Sequence, residues 1–140
     1  LLAGHVAEAS LKPGDHGTTY GGNPFVGAAV RKVLDIFQEQ KLTEHVQQVS
    51  GYLERKLEQI KETYGFVMER RGLGMMQGIE LDPKVPAAKI SRLCLEQGLI
   101  LITAGNNVLR FLPPLVIEEK HVDEMADILQ KIFDKYQEKT

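Results

Sequence analysis

Phe66-Val67-Met68-Glu69-Arg70-Arg71-Gly72-Leu73-Gly74-Met75-Met76-Gln77-Gly78-Ile79-Glu80-Leu81 is the stretch on which the fold turns. Before it, Val46, Val49, Leu53, Leu57, Ile60 and Tyr64 recur at helical spacing. Within it the period shortens, and Phe66–Arg71 and Met75–Leu81 read as two strands joined through Gly72 and Gly74. A helix feeding a glycine-turned strand pair points to a sheet built by antiparallel neighbours.

Outward from the hairpin the same signals repeat. On the N-terminal side Thr43 offers a cap for the helix that Gly65 stops, and Asn23-Pro24 opens an earlier one running to about Gln40. That earlier helix carries Val26, Val30, Val33, Ile36 and Phe37 at helical spacing. On the C-terminal side Pro86 opens a helix with Ala87, Ile90, Leu93 and Cys94 inward and an end near Gly98. Leu99–Ile102 follows as a buried strand, Gly105-Asn106-Asn107 as a tight turn, and Val108–Leu112 as its antiparallel partner, stopped by Pro113-Pro114. A last helix begins near Glu118 with Val122, Met125, Leu129, Ile132 and Tyr136 on one face. The pattern predicts an α+β fold, a small antiparallel sheet of about four strands covered by helices.

Composition sets limits on function. A chain of 140 residues, 43% hydrophobic and 26% charged, has the length and make-up of one small domain. Its net charge of −2 gives no footprint for nucleic acid. No apolar run approaches the roughly 20 residues that span a bilayer. Cys94 is the single cysteine, so neither a disulfide framework nor a cysteine metal cluster is available, and a cytoplasmic setting is expected. The start at Leu1-Leu2-Ala3, without Met, reads as the end of a strand in a longer chain, and residues 1–15 as a tether with a turn at Lys12-Pro13-Gly14-Asp15.

Two places carry chemistry. In His16-Gly17-Thr18-Thr19-Tyr20-Gly21-Gly22-Asn23-Pro24, adjacent hydroxyls sit among glycines just before a helix start, whose free N–H groups suit an anion such as phosphate. A plain helix entrance uses the same residues, and neither the nucleotide P-loop nor G-x-G-x-x-G is matched. The second is Arg110, which alternates with Leu109 and Phe111 beside the double proline. It reads either as a structural ion pair or as a carboxylate clamp, for which the planar guanidinium is well shaped. His16 and His121 lack a second ligand at metal spacing and read as solvent or packing histidines.

Taken together, the Gly-rich loop, the run Arg71–Leu81 and the run Leu109-Arg110-Phe111-Leu112-Pro113-Pro114-Leu115 resemble the C-terminal part of the class III pyridoxal-phosphate-dependent aminotransferases, the acetylornithine type above all. The resemblance implies the C-terminal small domain of a fold-type I enzyme at 24–140, preceded at 1–23 by a tether and a cofactor-phosphate loop from the end of the large domain. It implies a homodimer in which Gly17, Thr18 and Thr19 reach the cofactor held mainly by the partner, with Thr19 as the phosphate ligand. Arg110 corresponds to the arginine that takes the substrate α-carboxylate. The substrates implied are N-acetylornithine and 2-oxoglutarate, within arginine biosynthesis, with ornithine-type and 4-aminobutyrate-type enzymes of the class as alternatives. The class's cofactor-carrying lysine matches no lysine here and is expected upstream of Leu1, so no catalytic residue is assigned and the fragment alone is expected to be inactive. A free-standing α+β domain that binds a small acidic metabolite is the competing reading.

Overall fold

In the computed structural model the chain divides into two compact units, Leu1–Gln40 and Lys41–Thr140. The structure describes residues 4, 10, 12, 14, 15 and 17–138. The expected strand end at Leu1-Leu2-Ala3, most of the tether and His16 therefore lie outside the described residues.

The first unit holds the Gly-rich loop and helix α1, Pro24–Glu39. Asn23 sets its start by accepting from Val26 N at 3.0 Å, and Pro24 supplies the fixed first helical residue. The apolar spacing read from the sequence is present, but none of the helix's residues is buried.

The second unit begins with helix α2, Leu42–Thr63. Thr43, expected as its cap, lies inside the helix. Lys41 is the N-cap, in the left-handed region at φ 48° and without a side-chain cap bond. The helix thus starts two residues before the expected position, and Leu42, its first residue, is buried.

Strands β1, Val67–Leu73, and β2, Met76–Leu81, form the expected hairpin. Leu73 pairs with Met76, so Gly74 and Met75 form a two-residue loop. Gly74 alone of the two has positive φ, at 58°, the glycine-first arrangement of a type II′ turn. A bulge interrupts the register between Val67 and Glu69. Helix α3, Ala87–Glu96, follows with Ala87, Ile90 and Cys94 buried.

The next strand departs from expectation. Pairing covers β3, Ile102–Ala104, rather than Leu99–Ile102, and Ile100 is 78% exposed. The cause lies in how α3 ends. Gly98 adopts φ 85°, its N–H bonds Leu95 O, and Leu99 N bonds Cys94 O at 2.9 Å, a Schellman closure that holds the chain at the helix end. Ser91 Oγ then donates to Leu101 O at 2.6 Å, so ladder pairing starts only at Ile102. Strand β4, Val108–Phe111, returns antiparallel, and helix α4, Glu119–Gln137, closes the unit.

The four strands run in the order β1-β2-β4-β3 with every neighbouring pair antiparallel, the α+β architecture expected. Helices α2 and α3 lie on the sheet, and α4 packs against both. Ile79, Leu81, Leu109 and Phe111 point from the sheet into a core shared with Leu53, Leu57, Ile60, Leu129 and Phe133. Tyr64, Phe66 and Phe133 meet edge-on or tilted within 5.7 Å, joining the end of α2 to α4. The opposite face of the sheet carries no helix of this unit, and it bears Arg71 and Arg110.

Candidate functional site

In the first unit, Gly17, Thr18 and Thr19 are exposed. The loop is closed by one residue. Asn23 donates from Nδ2 to Tyr20 O at 2.6 Å and accepts from Val26 N. Thr18 turns its methyl against Gly21, where a Cβ would collide with it. This closure changes the expectation of free helix-end donors. Pro24 has no N–H, Val26 N goes to the Asn23 side chain and Gly27 N to Asn23 O at 3.0 Å. Phe25 N–H is what α1 has left to offer a ligand, so any anion at this loop is held by the threonine hydroxyls and loop amides more than by the helix.

In the second unit, the open face of the sheet is organised by register. Arg71 pairs with Gly78, Gly78 with Arg110, and Arg110 with Ile102, so these four residues form one row across all four strands. Directly opposed residues of antiparallel strands project from the same face. Arg71, Gly78 and Arg110 line a shallow depression of about 530 Å³ with Met76, Ala104 and Val108.

The two arginines differ in their partners. Arg71 is engaged twice through Nη1, by Glu69 at 2.6 Å and Glu80 at 2.7 Å. Arg110 makes no ion pair among the described residues, and its Nε is the one buried side-chain nitrogen or oxygen there without a hydrogen-bond partner. Of the two sequence readings of Arg110, the internal ion pair is therefore absent within the described residues. A buried donor of a guanidinium left unpaired costs about 1–3 kcal/mol, so its presence in a folded sheet needs an explanation.

The helix-side face holds β2 in place through polar residues that the sequence reading passed over. Gln77 is almost completely buried. It accepts from Arg70 Nη1 at 3.0 Å and donates to Glu54 Oε1 at 3.1 Å and Gly74 O at 2.8 Å. Glu58 receives Lys61 Nζ at 2.6 Å and Arg70 Nε at 2.9 Å. These two bonds, Lys61 first, hold its carboxyl below the usual glutamate range. Asn107, with φ 62°, ties the β4 end to α3, donating to Leu81 O, Asp82 O and Val85 O and accepting from Ala87 N. The Gly-Asn-Asn turn signalled a left-handed residue, but not this long-range role. His121, read as a solvent or packing histidine, accepts from Glu118 N through Nδ1 at 2.9 Å and caps α4.

Among the described residues, no group of three or more His, Cys, Asp or Glu side chains could hold a metal, and no helix is long and apolar enough to cross a membrane. Cys94 is buried and free, and burial pushes its thiol up to about 11.

Comparison with known proteins places this geometry in a family. Residues 3–133 match the family described as aminotransferase class-III. The acetylornithine aminotransferase of Methanocaldococcus jannaschii is 39% identical over 133 residues, 95% of this chain and 33% of that protein. That of Clostridium acetobutylicum is 41% identical over 132 residues, 94% of this chain and 34% of that protein. Among solved structures, Plasmodium falciparum ornithine delta-aminotransferase superposes with TM-score 0.81 at 31% identity, over 94% of this chain and 35% of that one. Acetylornithine aminotransferase from Elizabethkingia anophelis gives 0.78 at 29% identity, over 91% of this chain and 32% of that one. The chain spans about a third of the length of these relatives. With a four-stranded antiparallel sheet in its α+β unit and a family match over nearly its whole length, the chain belongs to the class III aminotransferases.

Proposed function

We propose that this chain is the substrate-orienting part of an acetylornithine:2-oxoglutarate aminotransferase, and that Arg110 receives the carboxylate of the amino-acid and oxo-acid partners. The observation that carries the reading is the buried, unpartnered Nε of Arg110 in a depression on the helix-free face of the sheet. A planar guanidinium with an unused edge takes a carboxylate through two parallel N–H···O bonds. Arg71 does not compete, because Glu69 and Glu80 already occupy it.

Pyridoxal phosphate fits the donor set of the first unit. Thr18 and Thr19 present exposed hydroxyls, and glycines at 17, 21 and 22 allow close approach to main-chain N–H groups. Thr19 would hold the phosphate, with Thr18 and Gly17 beside it. When bound, the cofactor supplies the electron sink through which an amino group leaves one carbon skeleton and joins another. The contribution of this chain is orientation: Arg110 fixes the carboxylate end of the substrate, so that the reacting carbon is held in one geometry. Homodimer assembly, with the loop serving the partner's cofactor, a place in arginine biosynthesis and a cytoplasmic location belong to the same proposal and rest on the family. Residues 1–23 as tether and loop and 24–140 as small domain belong to it too.

The test is steady-state kinetics of the full-length enzyme carrying this chain. Arg110→Ala should raise KM for N-acetylornithine and for 2-oxoglutarate about 10- to 100-fold, the equivalent of a charged hydrogen-bonded contact. Arg110→Lys should recover part of that loss. Unchanged KM values for both substrates would overturn the assignment. Replacing N-acetylornithine by ornithine in the same assay separates the acetylornithine type from the ornithine type.

A further inference from the structure

The carboxylate reading of Arg110 leaves a question about its neighbour. Gly78, on β2, stands directly opposite Arg110 of β4 on one side and Arg71 of β1 on the other, so it is the floor between two guanidinium-bearing strands. With strands about 4.8 Å apart, the two arginine backbones are separated by roughly 10 Å with only hydrogen between them. Glycine in the middle of a strand weakens it and marks a bulge, a bend or a close approach of something else. No bulge occurs at Gly78, since its pairing with both neighbours stays in register.

The backbone does not require glycine there. Gly78 is not among the residues with positive φ. An added Cβ would meet Val108 Cγ1 at 3.1 Å, Leu109 O at 3.7 Å and Arg71 O at 3.8 Å. Only the first of these contacts is tight, and it is a side-chain methyl. Gly72 is a different case, because φ 151° and a collision with Met76 O require glycine at that position. The depression beside the Arg110 Nε is floored by Gly78 together with the Val108 methyl that packs toward it, so the ground over this strand is low only while residue 78 carries no side chain.

Resting on the assignment of Arg110 above, we infer that Gly78 is a specificity-determining residue: the carbon that bears the ligand's carboxylate seats over it. Arg71, pinned by Glu69 and Glu80, forms the far wall, and Arg110 the near one. The seat admits a carboxylate with a slim neighbouring carbon, as in a 2-oxo or 2-amino acid. A methyl or larger group at 78 takes that ground and leaves both arginines in place.

The experiment uses the full-length holoenzyme, with glutarate as a dicarboxylate that binds without reacting. Because Gly78→Ala presses on Val108, it is made in a Val108→Ala background, which removes the 3.1 Å contact. Relative to Val108→Ala alone, the double variant should raise the glutarate inhibition constant and the KM for 2-oxoglutarate about tenfold. Its thermal midpoint and cofactor dissociation constant should stay unchanged, a combination that a purely structural role for Gly78 would not give. Arg110→Ala is the control. If it weakens glutarate and Gly78→Ala does not, the role of Gly78 is overturned while the Arg110 reading stands. If Arg110→Ala has no effect on glutarate, the Arg110 reading fails and the seat fails with it.

Discussion

Asn107 caps a helix from 20 residues away: its Oδ1 accepts from Ala87 N at 2.7 Å, the first amide of α3. Pro86, the N-cap in sequence, has no side chain that can do this. The same amide group donates to three carbonyls of the β2–α3 connection. Asn107→Gly keeps the left-handed backbone and should cost about 2–3 kcal/mol by losing these bonds. Asn107→Ala should cost about 1 kcal/mol more, because a Cβ is disfavoured at positive φ. Urea denaturation of the three proteins measures both steps, and equal midpoints for Gly and Ala would refute the backbone part.

The two hairpin glycines separate conformation from contact. At Gly74, φ 58° is strained but spacious, with Val46 Cγ1 at 3.8 Å the nearest atom to an added Cβ. Gly74→Ala should cost about 1 kcal/mol. Gly72→Ala drives a methyl into the Met76 carbonyl and the Gln77 backbone, and should cost about 3 kcal/mol with loss of hydrogen-exchange protection at the hairpin end. Similar stabilities for the two variants would contradict the contact argument.

Cys94 reports on opening of the core. Burial raises its thiol from 9.0 to about 11, so the folded protein keeps its proton where the unfolded chain has lost it. The stabilisation this gives is whole below pH 9.0 and is lost as pH rises toward 11. Alkylation by iodoacetamide at pH 8 should be far slower in the folded protein than in urea. Equal rates in the two conditions would show the thiol to be accessible.

Acid should loosen α2 from its neighbours. Glu58 is held low by Lys61 and Arg70, and Asp123 by Lys56 and Tyr52. A depressed carboxylate stabilises the fold above its ordinary value and ceases to do so as pH falls through the folded value. The melting temperature should therefore decline below about pH 4.5, the ordinary value for Glu58, and Glu58→Gln should flatten that decline. A variant whose melting profile overlays that of the parent between pH 5 and 2 would remove Glu58 from this account.

On the proposed function, Thr19→Ala in the full-length enzyme should raise the cofactor dissociation constant about tenfold, as one charge-assisted hydrogen bond would. Cofactor release followed by absorbance gives the value, and no change would leave the loop as a helix entrance.

Most of the architecture was legible because it rests on local periodicity. The spacing from Val49 to Tyr64 and the change of period at Phe66 depend on neighbours within one turn or one pleat. What escaped was set by distant partners. Thr43 looked like a cap because caps are local, yet the corner falls at Lys41, in the left-handed region, and Leu42 behind it is buried. Leu99–Leu101 looked like a strand by composition, yet the Schellman closure and Ser91 take up the backbone groups a ladder needs. At the site, alternation placed Arg110 on the face opposite Leu109 and Phe111. That, among the described residues, Arg110 has no carboxylate partner while Arg71 has two became visible only with the register in hand. Thr18 and Thr19 remain what the sequence made them, two hydroxyls in a glycine-rich loop, to which the structure adds the closure by Asn23.

The bulge between Val67 and Glu69 has a consequence for how this sheet behaves toward others. Strand β1 lies at one margin, and beyond the bulge it carries Glu69, Arg70 and Arg71 in succession. At the other margin β3 is three residues long. A kinked, charged margin and a very short one are poor templates for another chain's backbone. Neither margin of this sheet is the long, flat edge on which strand addition depends.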